Sequence, residues 1–211
     1  MSVPLPIMPY YNPDTPVDRH QRNLPHWQQG DVWIFVTWRL GDALPQSKLK
    51  TLREEKIKWL ADHPEPWDED TEIEFHVQFS HRVDKWLDQG MGSCLLRHES
   101  LARIVENTLL HFQNQRYHLD CFVIMPNHVH VLFRITGEDV RLDQILKSWK
   151  GFSAREINRA RETRGTLWQE EYWDRLIRSE RHFHKVREYI LENPAKAGLK
   201  SGFILWENTA E

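Results

Sequence analysis

Three stretches of the chain combine β-branched and aromatic residues in the manner of β-strands. Residues 31–40, with the sequence DVWIFVTWRL, predict the first strand. Residues 117–125 and 128–135 predict two more, and the Pro-Asn pair between them is a turn signal, so we expect these two strands to form a hairpin. Residues 167–178 are ambiguous, and we favour an irregular strand there.

Helical spacing of the apolar residues indicates helices between these strands. Helices are expected over residues 45–61, 98–114, 141–161 and 180–192, and a short helix with a glycine-rich turn over 81–95. The last helix is expected to end near Asn193, because a proline follows and disfavours helical geometry in the residue before it. In the helix over 141–161, the expected buried side consists of Leu142, Ile145, Leu146, Trp149, Phe152, Ala154 and Ile157.

These elements predict an α+β fold, in which helices pack on an antiparallel β-sheet. We expect one domain over residues 31–200, with an extended arm over 1–30 before it and a tail over 201–211 after it. Residues 62–80 are acidic and contain prolines, so a surface insertion is expected within 62–95.

The composition is that of an ordinary globular protein. Of the 211 residues, 40% are hydrophobic and 28% are charged, which suffices for a sizeable core. No apolar run approaches the roughly 20 residues that cross a bilayer, so no membrane association is expected. The N-terminus has no basic segment followed by an apolar core, as a secretory signal would have. Cys94 and Cys121 lack the spacing of a metal site and are expected to be reduced thiols of a cytoplasmic protein.

The charges are distributed unevenly along the chain. The net charge is −3, but residues 1–96 carry 10 Lys and Arg against 15 Asp and Glu, whereas residues 97–200 carry 18 against 14. The mildly basic part also contains the chemical motifs described below. Solvated helix faces produce such differences too, so the charge alone indicates a nucleic-acid partner only weakly.

The sharpest local motif is a pair of histidines in the sequence MPNHVHVLF. On a strand, side chains alternate between faces, so His128 and His130 point the same way, close enough to share one metal ion. Two neutral imidazoles at this spacing suit a divalent ion. The alternative is a pair of hydrogen-bonded histidines on a half-buried strand.

A metal site with two histidines needs at least one further ligand and keeps positions open for substrate. Tyr189 and Asn193 are four residues apart on the last predicted helix and therefore share one face. The amide oxygen of Asn193 would complete the ligand set beside the phenol, and Glu192 is the alternative ligand. Without a metal, Tyr189 would only flank the apolar stripe of its helix, and Asn193 would be a helix cap.

Three motifs together resemble the REP-associated tyrosine transposases, which belong to the single-tyrosine HUH transposases. They are MPNHVHVLFRI, GTLWQEEYWDRLIR and VREYILENPAKAGL, and the resemblance covers about residues 90–200. It implies a ferredoxin-like HUH palm, with Mg²⁺ or Mn²⁺ bound by His128, His130 and Asn193. It also implies that Tyr189 is the nucleophile.

The resemblance implies cleavage and rejoining of single-stranded DNA beside a hairpin, through a covalent 5′-phosphotyrosine, by a monomer or a homodimer. Tyr172 and Tyr117 are rival nucleophiles. Two other functions stay open: a regulatory protein that binds DNA hairpins without catalysis, and a metal-dependent phosphoesterase that uses water. Of these three hypotheses, only that of a transposase predicts that Tyr189→Phe abolishes cleavage.

Basic and aromatic residues near these motifs are the candidate DNA contacts. The candidates for phosphate contacts are Lys147, Lys150, Arg175 and Arg178. The candidates for base stacking are Trp149, Trp168 and Trp173, although core packing is expected for at least two of these rings.

Overall fold

The computed structural model describes residues 10–21, 25–64, 71, 74–137 and 140–209, with the backbone alone at 19–21, 25–27, 76, 77 and 81. The helices are α1 (Gln46–Asp62), α2 (His81–Asp88), α3 (Glu99–Leu110), α4 (Leu142–Ala160) and α5 (Glu180–Lys196). The strands are β1 (Asp18–Gln21), β2 (Pro25–Gln28), β3 (Trp33–Arg39), β4 (Tyr117–Ile124), β5 (His128–Ile135), β6 (Trp173–Leu176) and β7 (Ile204–Glu207).

A five-stranded antiparallel sheet forms the centre of the fold, with strand order β6-β3-β5-β4-β7. The predicted hairpin is present as β4 and β5, and the predicted irregular strand is present as the short edge strand β6. The α+β fold class, with helices packed on an antiparallel sheet, is therefore confirmed.

The two faces of the sheet contribute to different cores. Strand alternation sends Ile34, Val36 and Trp38 of β3 into a large core with apolar residues of α3 and α4. It sends Phe35 to the opposite face, where a smaller core contains Val186 and Ile190 of α5. The even-numbered positions of β5 share the face of Phe35, so its histidines lie under α5.

Helix α5 continues to Lys196, past its predicted end near Asn193, so the predicted end is wrong. Pro194 has no N–H group and cannot donate to the carbonyl of Ile190. The helical hydrogen bonding nevertheless resumes, because the backbone N–H of Ala197 donates to the carbonyl of Asn193 at 3.0 Å. Gly198, with φ of +68°, then ends the helix in the left-handed conformation that glycine favours.

The segments predicted to lie outside the core domain contain ordered structure of their own. Within the predicted arm, β1 and β2 form a two-stranded antiparallel ribbon, and residues 1–9 and 22–24 lie outside the described residues. The predicted tail supplies β7, which pairs with β4, so a boundary at 201 cuts off a strand of the sheet. In the acidic segment, Phe75 and Phe79 pack on Trp59 in a small separate core, and 65–70 and 72–73 lie outside the described residues.

Two smaller expectations have different outcomes. Phe152 is 47% exposed, so its predicted place on the buried side of α4 is wrong; its neighbour Ser153 is buried instead and donates to the carbonyl of Trp149. Cys94 and Cys121 are free buried thiols, as expected. Among the helices of the described residues, none is long and apolar enough to cross a bilayer.

Candidate functional site

Both histidines of the motif lie on the sheet face that α5 covers. His128 is 1% exposed and His130 is fully buried, with their ring centroids 4.6 Å apart. Each stands opposite a residue of β3: Arg39 is the register partner of His128, and Thr37 is that of His130. The predicted convergence of the two imidazoles is therefore present.

Hydrogen bonding fixes which nitrogen of His128 carries its proton. The amide nitrogen of Asn127 donates to the carbonyls of Leu87 and Met91, at 3.1 and 3.2 Å, so its oxygen must face the histidine. That oxygen lies 2.7 Å from Nδ1 of His128, which must therefore be the donor. Nε2 of His128 is left with a free lone pair, the form in which an imidazole binds a metal.

His130 also has a hydrogen-bond partner at Nδ1. This nitrogen lies 2.7 Å from the hydroxyl of Thr37, which can donate or accept, across the register pair. Burial lowers the pKa of His128 to about 3, and the nearby Asn193 side chain opposes this shift. Burial, with His128 beside it, holds the pKa of His130 well below its ordinary value. Both rings are thus neutral at physiological pH, as metal ligation requires.

Helix α5 brings Tyr189 and Asn193 to the same place. The Tyr189 ring meets His130 edge to face, with centroids 5.3 Å apart, and Asn193 is 2% exposed. Asn193 lies one helical turn after Tyr189 in α5 and therefore shares its face. Glu192, the alternative ligand, is exposed and forms an ion pair with Lys196 at 3.0 Å.

The sequence analysis missed the two carboxylates beside the phenol, Asp84 and Asp88 of α2. Burial and the Asp84 carboxylate raise the pKa of the Tyr189 phenol well above its ordinary value. Burial raises the pKa of Asp84 to about 7, and the neighbouring Tyr189 opposes this shift. The Tyr189 hydroxyl makes no hydrogen bond to any described residue, so Asp84 acts on it as a near neighbour. The signal in the sequence was two aspartates four residues apart in a helix, which solvated helices also show.

Three buried atoms at this site fit a divalent cation. Nε2 of His128, Nε2 of His130 and Oδ1 of Asn193 have no hydrogen-bond partner among the described residues. Imidazole nitrogen and amide oxygen are ligands that Mg²⁺, Mn²⁺ and similar ions accept. The described residues contain no group of three His, Cys, Asp or Glu side chains that could hold a metal ion, and the amide oxygen of Asn193 is the buried acceptor without a partner beside the two imidazoles.

Comparison with known proteins relates one part of the chain to a family. Residues 96–193 match the family model described as "Transposase IS200 like". This part of the chain is therefore similar to the IS200-like transposases. The match ends at Asn193 and includes both histidines and Tyr189.

Individual relatives are more distant. A protein of Haemophilus influenzae named "Putative REP-associated tyrosine transposase" is 28% identical over 87 residues, which are 36% of this chain and 48% of the relative. The chain thus spans about half the length of that curated relative. A solved structure of a REP-associated tyrosine transposase bound to a REP hairpin has 16% sequence identity and a TM-score of 0.41, over 86% of this chain and 74% of that one.

The rival tyrosines, Tyr117 and Tyr172, lie in the large core on the other face of the sheet. Tyr117 is 1% exposed, and its hydroxyl donates to the carbonyl of Leu109 at 2.8 Å. Tyr172 is 7% exposed and also belongs to the large core. The ring of Tyr189, by contrast, is in contact with that of His130.

The predicted stacking residues differ in their surroundings. Trp149 and Trp168 are 2% and 4% exposed in the large core, so stacking on DNA bases is excluded for both in this structure. Their polar atoms are also engaged: Nε1 of Trp149 donates to Tyr117, and that of Trp168 donates to Ser153. Trp173 is half-buried on the histidine face, against Phe35.

The predicted phosphate-binding residues are divided between the two faces. Arg175 of β6 is the register partner of Phe35 and therefore lies on the histidine face. Arg178 is exposed, over the ring of Tyr11. Lys147 and Lys150 line a cavity of about 350 Å³ beside α4, which packs on the other face. Their roles in DNA binding stay predictions.

Proposed function

We propose that this chain cleaves and rejoins single-stranded DNA, with Tyr189 as the nucleophile and Mg²⁺ or Mn²⁺ bound by His128, His130 and Asn193. The observation that carries the proposal is the convergence of three buried, unpartnered ligand atoms and one phenol on a single sheet face. Unpaired buried polar atoms cost about 1–3 kcal/mol each, so their concentration at one place calls for a ligand.

The proposed reaction combines one bound cation with the side chains of this chain. A bound divalent cation supplies Lewis-acid polarisation of the phosphodiester and neutralises its charge. The Tyr189 oxygen forms a bond to phosphorus, and the bond from phosphorus to the 3′ oxygen of the preceding nucleotide breaks. That oxygen leaves as a 3′-hydroxyl once protonated. Attack by another 3′-hydroxyl reverses the step and joins strands without ATP, because the phosphotyrosine retains the phosphodiester's energy.

Burial explains why Tyr189 is inert until substrate arrives. In this structure burial and the Asp84 carboxylate hold the phenol protonated. Metal charge near the hydroxyl would favour the phenolate. All four side chains come from one chain, which supports an active site that needs no second subunit.

The substrate we propose is single-stranded DNA beside a hairpin, of the kind found in repetitive extragenic palindromes. The name of the Haemophilus influenzae relative supports this choice. The basic side chains on the histidine face and on α4 would contact phosphates along the strand.

The test is a covalent-adduct assay. The full chain is incubated with Mn²⁺ and a labelled DNA hairpin that carries single-stranded flanks, and the products are separated on a denaturing gel. We expect a protein–DNA adduct with the parent chain and with Tyr172→Phe, and none with Tyr189→Phe or with EDTA. If Tyr189→Phe still cleaves the DNA and no adduct forms, the protein is the water-using phosphoesterase instead. Hairpin binding without cleavage by the parent chain would establish the regulatory binder.

A further inference from the structure

Arg39 places a cationic side chain on the histidine face of the sheet. Arg39 is the last residue of β3, and alternation along the strand places it on the face of Phe35 and Thr37, opposite Trp38. Its backbone is fixed on both sides: its carbonyl accepts from the N–H of Gln169 at 2.9 Å, and the next N–H donates to the carbonyl of Asn127.

The guanidinium of Arg39 has no counterion within the part of the chain that the structure describes. Its Nη1 is buried and makes no hydrogen bond to any described residue, and no described carboxylate forms an ion pair with it. Burial lowers the pKa of Arg39 to about 10, so the group is still charged at neutral pH. An unpaired, partly buried cation is unfavourable and implies an anion that the isolated chain does not hold.

The position of Arg39 indicates which kind of anion would bind to its guanidinium. Arg39 is the direct register partner of His128, and side chains so paired have their Cβ atoms about 5 Å apart. The neighbouring unpartnered atoms are the Nε2 atoms of the two histidines. An anion there would be shared between a guanidinium and a metal ion, and a phosphodiester has oxygens for both. The planar fork of arginine matches phosphate in two-point contact.

We propose that Arg39 binds the phosphate at which Tyr189 attacks. The inference rests on the proposed function and adds a residue upstream of the stretch that matches the transposase family, residues 96–193. Arg39 holds two of the phosphate oxygens and thereby orients the phosphorus toward the Tyr189 oxygen.

A second consequence concerns the metal. Two cations at one site repel each other, so Arg39 weakens metal binding until a phosphate neutralises the charge. By linkage, DNA and metal each strengthen the binding of the other. The arrangement would load the metal together with the substrate.

The first experiment compares the rates of adduct formation in single turnovers with hairpin DNA and Mn²⁺. We expect Arg39→Gln to slow adduct formation by about 100-fold or more, and Arg39→Lys, which keeps the charge but not the fork, by about tenfold. Binding of the same hairpin should weaken by no more than about threefold, because this phosphate is one of many contacted. Arg53→Gln removes an equal charge from an exposed position on α1 and is the matched control, with an unchanged rate.

The second experiment needs no turnover and measures Mn²⁺ binding to the DNA-free chain by calorimetry. We expect Arg39→Gln to bind Mn²⁺ about tenfold more tightly than the parent chain, because the repelling charge is gone. Its thermal midpoint should equal or exceed that of the parent. A structural role for Arg39 predicts the opposite on both counts.

The outcomes separate the inference from the function beneath it. If the parent chain forms no adduct with any hairpin, the proposed function fails, while the Mn²⁺ titration still reports on Arg39. If the parent forms the adduct and Arg39→Gln forms it within threefold of the parent rate, the assignment of Arg39 is overturned. Should Arg39→Gln fold poorly, an unchanged single-turnover rate in Arg39→Lys would overturn it equally.

Discussion

The two faces of the sheet treat buried polar groups in opposite ways. On the face under α3 and α4, Nε1 of Trp149 donates to the Tyr117 hydroxyl at 2.9 Å, and that hydroxyl donates onward to Leu109. Nε1 of Trp168 likewise donates to Ser153 at 3.0 Å. Nε1 of Trp38, on the same face, makes no hydrogen bond to the described residues. Here the polar atoms complete a core.

On the face under α5 the polar groups are buried and mostly left without partners. The Nε2 atoms of both histidines, the amide oxygen of Asn193 and the Tyr189 hydroxyl make no hydrogen bond to the described residues. Such atoms destabilise a fold by about 1–3 kcal/mol each. The polar groups under α3 and α4 therefore stabilise the fold, whereas those under α5 destabilise it and are left free to bind a ligand.

The largest effect is expected from His130→Ala. Because the variant removes one of two imidazole ligands, we expect Mn²⁺ affinity to fall by at least about 100-fold and adduct formation by about 1,000-fold or more. Calorimetry and the denaturing gel measure the two quantities. His98→Ala changes an exposed histidine and should alter neither. Adduct formation that persists in His130→Ala would remove the metal from the proposal.

On the opposite face, Trp149→Ala should act on stability. The change removes a fully packed ring and the donor to Tyr117, so we expect a loss of about 4 kcal/mol in the free energy of unfolding. Denaturant titration measures it. DNA affinity per folded molecule should be unchanged, because the ring is inaccessible. A specific loss of DNA affinity with unchanged stability would restore the stacking role.

The sheet and the histidine pair could be predicted from the sequence because both depend on local periodicity. Alternation of side chains along β5 puts His128 and His130 on one face whatever the rest of the chain does. The end of α5 could not be predicted in the same way. Pro194 predicts a stop near Asn193, but in the structure the buried proline lies within the helix, which ends at Lys196.

The residues that complete the site come from elements distant in the chain. Asp84 and Arg39 are ordinary charged residues in their own segments, and no sequence motif distinguishes them from solvated charges. Only the register of β3 on β5 and the position of α2 beside α5 bring them to the histidines. Core packing was expected for at least two of the three candidate tryptophans, and Trp149 and Trp168 are these two. The sequence could not show which two, because an aromatic ring does not reveal which side of a helix or loop the core covers.

A smaller effect is expected from Asp84→Asn, and its sign depends on pH. Burial raises the pKa of folded Asp84 to about 7, above its ordinary 3.8, so the protonated acid is favoured in the fold. Its stabilising contribution is complete below pH ~4 and is lost as pH rises through about 7. Relative to the parent, the amide variant should therefore gain about 2–4 kcal/mol between pH 4 and pH 8.

Chemical denaturation in EDTA across that pH range measures this gain. Asp143→Asn is the matched control, since that carboxylate is paired with Arg141 on the other side of the molecule and should show no such trend. A difference between the Asp84 variant and the parent that does not change with pH would mean that Asp84 is ionised throughout, in contact with solvent.

The smallest effect is expected from Thr37→Val, which changes one hydrogen bond and almost no volume. The hydroxyl of Thr37 lies 2.7 Å from Nδ1 of His130 and restricts the orientation of the ring, so without this hydrogen bond the ring is free to turn. We expect Mn²⁺ affinity to fall about tenfold, as is usual when the outer partner of a ligand histidine is lost. Thr108→Val removes a hydroxyl that donates to Ile104 within α3, on the satisfied face, and should cost stability without changing Mn²⁺ affinity. If the two variants affect Mn²⁺ affinity alike, the unpartnered nitrogens under α5 are no more than imperfect packing, and the contrast between the faces has no functional meaning.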